Sequence, residues 1–437
     1  MSAPVLAEDL LQIYDLAVSN DPVIRQARAN YNAQHTLIDQ GRALLLPSVN
    51  LQGQTGRNTQ GPTEVVPSNN PAQPPTPEHS FQNGFNDKRY SVNLTQALFN
   101  MEAWYSYRSV RKSDQIAMLT LQEAEQQLIM RVASAYFDVL RAQAELTSLQ
   151  AEETAAMQLL EQTQQRFDVG LIPITDVNDS QFRADEVTVR RLMAENTLNQ
   201  RFEALEAITG VDYSNISTLS PEFPITPPES TLDEWANLTE ESNLPLQRAE
   251  LDLEAKRDDA RAVRARMLPT MQLGMGYNWS QSGNSFSFFR PNTANEGTNI
   301  TLSFSLPLFA GGRNLAAARQ AYYNRDASEA VLLRVQREST QSISNSYRTV
   351  ETDVRAVAAQ SQAIVSATSS LEASTVGAEV GTRNIVDVVN AQSALFQAQR
   401  NHENARIQYV IDTLTLKQTA GVLSPQDVID LNEWLVE

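Results

Sequence analysis

In the stretch Met271-Gln272-Leu273-Gly274-Met275-Gly276-Tyr277-Asn278-Trp279-Ser280 every odd position is apolar and every even one is small or polar. Ile300, Leu302, Phe304, Leu306 and Leu308 repeat the pattern, with Asn299, Thr301, Ser303 and Ser305 between them. Weaker versions occur earlier, with Val49 and Leu51 set against Asn50 and Gln52, then Tyr90, Val92 and Leu94 against Ser91, Asn93 and Thr95. A period of two is that of a strand with one face in an apolar medium and the other in water. Strands are therefore predicted over 46–58, 87–99, 268–281 and 298–309.

The rest of the chain follows a longer period. Neither Gly nor Pro occurs from Met101 to Phe167 or from Arg313 to Val376. At 1.5 Å per residue each run makes a helix roughly 100 Å long. Asn100 can cap the first, and Gly311-Gly312 precedes the second. Leu128, Val132, Ala135, Val139, Ala142, Leu146 and Leu149 step by four and three, a heptad seam. A coiled-coil rod is the plainest account of such a run alone. Each run, however, reaches a Gly (Gly170, Gly381) and enters a second helical pattern, 174–208 and 385–419, which points to antiparallel helix pairs.

These elements occur twice in one order. Val169-Gly170, Ile174, Asp176-Val177, Gln181 and Gly210 match Val380-Gly381, Ile385, Asp387-Val388, Gln392 and Gly421 without insertion. Asn20-Pro22, Leu46-Pro47 and Leu98-Phe99 match Asn243-Pro245, Leu268-Pro269 and Leu308-Phe309. The expected organisation is a tandem duplication: a first repeat at 1–210, a Pro-rich linker at 211–230, a second repeat at 231–421 and a terminal helix at 422–437.

A soluble sheet packed on a helix would also alternate. The larger residues here face one way and Gly, Ser, Thr and Asn the other, as in a membrane barrel with a wet lumen. Phe99, Trp104, Tyr277, Trp279 and Phe309 gather near strand ends, where interfacial aromatics belong. The Pro-rich connection from Asn58 to Phe85 and the shorter one around Ser282 to Glu296 read as extracellular loops. Four strands cannot close a barrel, and open edges are not tolerated in lipid, so several copies must share one.

Composition sharpens this. The net charge of −18, with no concentrated basic face, argues against nucleic acid. Cysteine is absent, which fits an oxidising compartment. Met1-Ser2-Ala3-Pro4 has no apolar signal core, so the chain reads as a mature or re-engineered form without its export signal. His35, His79 and His402 are isolated, and no metal spacing, phosphate loop or nucleophile motif occurs. Neither a cofactor nor catalysis is expected.

The tandem halves, with Arg166-Phe167-Asp168-Val169-Gly170-Leu171 and Val380-Gly381-Thr382-Arg383-Asn384-Ile385-Val386-Asp387-Val388, resemble the TolC family of outer-membrane efflux proteins along essentially the whole chain. The resemblance implies an α+β membrane protein. Three chains pool four strands each into a twelve-stranded β-barrel, continuous with a long α-helical barrel. Short helices near 6–20, 231–242 and 424–435 supply a mixed α/β equatorial belt. It further implies a homotrimer in outer-membrane lipid, working with a periplasmic adaptor and an inner-membrane efflux pump or ABC transporter in drug efflux or type I secretion.

The same resemblance places the gate at the periplasmic tip. Asp387 would join a three-fold, cation-binding carboxylate ring, although it could simply complement the start of its helix, as its repeat partner Asp176 could. The family's second acidic position is Asn390 here and its latching aromatic is Ala378, so a less charged and less constrained ring is expected. Arg383 is available to pair with Thr175 and Asp176. Val169-Gly170-Leu171 and Val380-Gly381-Thr382 resemble the family's adaptor-docking grooves, though turn geometry alone also accounts for the glycines. The alternatives are a soluble periplasmic coiled-coil adaptor or structural protein, and a free-standing porin, which would draw all its strands from one chain.

Overall fold

The computed structural model of the 437-residue chain describes residues 8–60, 83–282 and 294–436. The proline-rich interior of the first predicted loop, most of the second and His79 lie outside the described residues. Each half runs through the same elements. The first has helices α1 (Leu10–Asn20) and α2 (Pro22–Ala43), strands β1 (Ser48–Gln60) and β2 (Asn83–Phe99), then helices α3 (Met101–Asp168) and α4 (Ile174–Thr209). After a short strand β3 (Thr218–Leu219), the second has α5 (Leu232–Ser242), α6 (Leu244–Ala265), β4 (Thr270–Ser282), β5 (Ala294–Ser305), α7 (Arg313–Glu379) and α8 (Ile385–Ala420). Helix α9 (Pro425–Asn432) and strand β6 (Leu435–Val436) follow. Helices α3 and α7 have 68 and 67 residues and α4 and α8 have 36 each, so the duplication extends to element length.

The chain divides into two compact units. One, residues 33–115 and 251–329, carries a four-stranded antiparallel sheet in the order β1-β2-β4-β5. The two hairpins meet through β2 and β4, where Leu94 stands opposite Met275 and Val92 opposite Tyr277. Register then sorts side chains across all four strands. Val49, Leu94, Met275 and Ile300 form one row, and Leu51, Val92 and Tyr277 the next. On the opposite face, Asn50, Asn93, Gly276 and Asn299 share a row, flanked by Ser48, Thr95, Gly274 and Thr301. The apolar face is uncovered in the single chain: Leu51 is 75% and Ile300 72% exposed. Tyr90 and Trp279 stack at its upper end with ring centroids 5.4 Å apart. Strand β5 stops at Ser305 although the alternation runs on to Leu308, because Pro307 has no N–H for a ladder bond. A register shift between Ala97 and Phe99 sets Leu98 out of line near the end of β2.

The other unit, residues 1–32, 116–250 and 330–437, is helical. Its core gathers Leu10, Ile13, Leu128, Tyr136, Phe137, Leu205, Ile343 and Leu416, all nearly inaccessible to water. Tyr136 donates to the Ser217 carbonyl at 2.6 Å, and burial pushes its phenol up from its ordinary value. Strand β3 pairs with β6 beside α1, α5 and α9, which supplies the mixed α/β layer. Thr231 and Glu234 close a capping box at the start of α5. Among the described residues no helix is long and apolar enough to cross a membrane. Helix α7 runs through Gly377 to Glu379, beyond the predicted end at Val376. One glycine disfavours a helix by about 1 kcal/mol, too little to end one of this length.

Candidate functional site at the helix turns

Helices α3 and α7 reverse at equivalent turns. Gly170 and Gly381 adopt left-handed φ values of +76° and +77°. Gly170 N donates to Phe167 O at 2.8 Å and Leu171 N to Arg166 O at 2.9 Å. In the second half Gly381 N donates to Ala378 O at 3.4 Å and Thr382 N to Gly377 O at 2.8 Å. Both are Schellman closures, which satisfy the last carbonyls of a helix and need a residue at positive φ. A Cβ at either glycine would meet nothing within 4 Å, so φ alone demands glycine within this chain. Val169, Leu171, Val380 and Thr382 surround these turns and are exposed.

The helices that follow start differently. Asn384 caps α8 by accepting from Asp387 N at 2.9 Å, and Asp387 Oδ2 accepts in return from Asn384 N at 3.3 Å. The Asp387 carboxylate thus completes a capping box. In α4 the capping position is Pro173, which has no side-chain acceptor and no N–H. Asp176 sits at the same helical position but cannot form that box. It accepts a longer bond from Thr175 Oγ1, at 3.4 Å.

Arg383 donates from Nη1 to the buried Ser374 hydroxyl at 2.9 Å, folding back along α7. Gly377 permits this, because a Cβ there would stand 3.1 Å from Arg383 Cγ. The structure places Arg383, Asp176 and Ala378 around one cleft of about 450 Å³, also lined by Arg166, Leu171 and Asn384. It brings Thr175 to Asp176 and leaves Arg383 on Ser374. Ala378 contributes only a methyl group to the cleft, and Asn390 is exposed one turn beyond Asp387.

One cluster has no counterpart in the sequence reading. Glu152, Arg183, Arg190 and Arg400 meet between α3, α4 and α8. Burial pushes the neighbouring Glu145 carboxyl up, against the opposing pull of Arg400. A partial signal was present: the heptad seam through Leu146 and Leu149 next falls on Glu153 and Ala156, which puts a charge at an apolar position beside Glu152. His35 Nδ1 lies 2.8 Å from Asp114 Oδ1, and among the described residues no group of three or more acids or histidines could hold a metal.

A family model described as outer membrane efflux protein matches residues 13–211 and 235–422, once for each half. Outer membrane protein TolC of Vibrio cholerae serotype O1 is 34% identical over 439 residues, covering 100% of this chain and 95% of that one. The alkaline protease secretion protein AprF of Pseudomonas aeruginosa is 25% identical, over 96% of this chain and 85% of its own. Among solved structures CusC superposes with a TM-score of 0.80 at 15% identity, covering 95% of this chain and 92% of that one.

Proposed function

Because the chain belongs to the outer membrane efflux protein family, we propose that three copies assemble into a single tip-gated conduit served by a periplasmic adaptor. The chain itself is a TolC-family efflux or secretion channel of the outer membrane, extending into the periplasm, and not an enzyme.

The observation that carries the trimer is the sheet. Its apolar face is exposed from Val49 to Ile300, and its outer strands β1 and β5 each have one partner among the described residues. Lipid suits that face, and only closure satisfies the edge N–H and C=O groups. Three sheets of four strands, at ordinary spacing and tilt, close a barrel about 25 Å across between backbones. The polar row of Asn50, Asn93 and Asn299 then lines the lumen.

The turns at Gly170 and Gly381 form the periplasmic mouth in this reading. Asp387 supplies a carboxylate ring there, with Asn390 and Ala378 leaving it less charged and less latched. Asp176, held by Thr175, and Arg383 line the cleft in which a constraint on opening would form. The exposed Val169-Gly170-Leu171 and Val380-Gly381-Thr382 surfaces receive the adaptor's hairpin tips, and the pump or ABC transporter behind the adaptor supplies the energy. Mass measurement in detergent with planar-bilayer recording tests the whole. A trimer that conducts with cation preference is expected, and a monodisperse monomer without conductance would overturn the reading.

A further inference from the structure

The charge cluster around Glu152 ties three helices together. Glu152 of α3 is 2% exposed and Arg400 of α8 is 5% exposed. Arg400 Nη1 donates to Glu152 Oε2 at 2.9 Å. Glu152 Oε1 accepts from Arg190 Nη2 of α4 at 3.0 Å and from Ser393 Oγ of α8 at 3.3 Å. Arg183 Nη2 stands 3.6 Å from the same oxygen and also bonds Ser393. Arg400 reaches Ser148 of α3 at 3.2 Å and Glu145 at 3.4 Å, while Glu186 takes Arg183 at 2.6 Å.

Three guanidiniums and three carboxylates balance in charge. Well-packed apolar side chains would hold three helices together at least as firmly. What the charges add is position, because a multiply bonded Glu152 fits one register of α8 against α3 and α4. Their distance from the turns gives that register a consequence. At 1.5 Å per residue, about 24 Å of α3 separates Glu152 from the helix end before Gly170, and about 12–23 Å of α8 separates Ser393 and Arg400 from the helix start after Gly381. Nearer the mouth, Arg383 bonds within its own helix pair and Ala378 offers a methyl group.

We propose that Glu152 is a positioning residue for the tip, pinning α8 to α3 and α4 so that the level of Ser393 and Arg400 is the fulcrum of tip motion. The pin rests on the tip-gated reading above. Motion of the mouth is confined to the part of α8 between Ile385 and this level, and the helix beyond stays packed.

Glu152→Gln keeps the shape of the side chain and removes its charge. Amides of residues 385–400 should exchange with deuterium about ten- to hundred-fold faster, the change expected for one lost charge-assisted hydrogen bond, while those of 405–420 hold their rate. Closed-channel conductance should rise several-fold in the same variant. A merely structural role would speed exchange in both segments and lower yield without raising conductance. Should Glu152→Gln fail to fold, the double variant E152L/R400L removes the pin and keeps the remaining cluster balanced in charge, with Arg183 and Arg190 against Glu145 and Glu186, and the same local increase is expected. Unchanged exchange at 385–400, or an equal rise in both segments, overturns the proposal. Absence of conductance in the unaltered protein would instead overturn the channel reading, while exchange would still decide the pin.

Discussion

Glycine at the two tip turns has two explanations, backbone geometry and close approach of an adaptor, and three substitutions at two glycines separate them. At Gly381 the penalty for alanine is that of a left-handed residue, since φ is +77° and a Cβ meets nothing within 4 Å. That penalty is about 1–2 kcal/mol per chain, or about 3–6 per trimer, and asparagine tolerates the region at a fraction of it. Gly421 is the internal control. It has φ +83°, and a Cβ there would stand 2.2 Å from the Ser242 carbonyl oxygen. Overpacking adds about 1–3 kcal/mol to the φ penalty, roughly 2–5 in all.

Thermal unfolding in detergent should therefore rank the unaltered protein first, then G381N, G381A and G421A. Cross-linking to the adaptor reads the second effect. If the adaptor approaches the turn closely, G381N keeps its stability and loses cross-linking. Full cross-linking in G381N would refute adaptor contact at Gly381 and leave the turn as its only role. Equal destabilisation by G381A and G421A would refute the steric reasoning itself.

Asp387→Asn keeps an amide oxygen for the Asn384 N–H, so it should weaken cation preference in bilayer reversal potentials with little change in stability. Asp387→Ala should also destabilise the start of α8, by about 1 kcal/mol; equal preference in D387N and the unaltered channel, against a loss in D176N, would move the ring to Asp176. Ile300→Arg on the apolar face should cost about 2–4 kcal/mol and block membrane assembly, whereas Asn299→Arg beside it should assemble and alter conductance; similar assembly yields would contradict the facing. Burial, with the neighbouring Asp412 carboxylate, pushes Asp353 up to about 7 from its ordinary 3.8. The folded state therefore holds a proton that the unfolded chain releases between those values, and stability falls as pH rises through that window. Asp353→Asn should flatten the melting temperature between pH 4 and 7, and an unchanged slope would exclude this pair as its source.

The strands were legible because the two media demand opposite side chains at alternate positions, as Met271 to Ser280 display. The long helices were legible as runs free of Gly and Pro. Two features were not. The pairing of β2 with β4 joins residues far apart in sequence, with no local signal naming the partner. The end of α7 was misplaced because Gly377 looks like a stop, yet its role is to let Arg383 lie against the helix. The candidate mouth was legible as a set of residues and not as a set of contacts. Asp387 has the same sequence signature whether or not it caps its own helix, and only the bonds to Asn384 show that it does.

Those bonds make the duplicated turns unequal in a way that bears on the proposed gating. Both close with the same pair of backbone hydrogen bonds, so the reversal itself is common to the two halves. What differs at the cap itself is Pro173 against Asn384. An asparagine there binds the carboxylate three positions on, and reorienting Asp387 then means unmaking a capping box. A proline cannot bind it, so Asp176 can turn towards a cation or towards Arg383 across the shared cleft without disturbing α4. In the second half the acid secures its own helix before it can serve the mouth. The first half's acid is restrained by little more than the 3.4 Å bond from Thr175, and in the proposed gate, where Ala378 offers only a methyl group, that freedom matters.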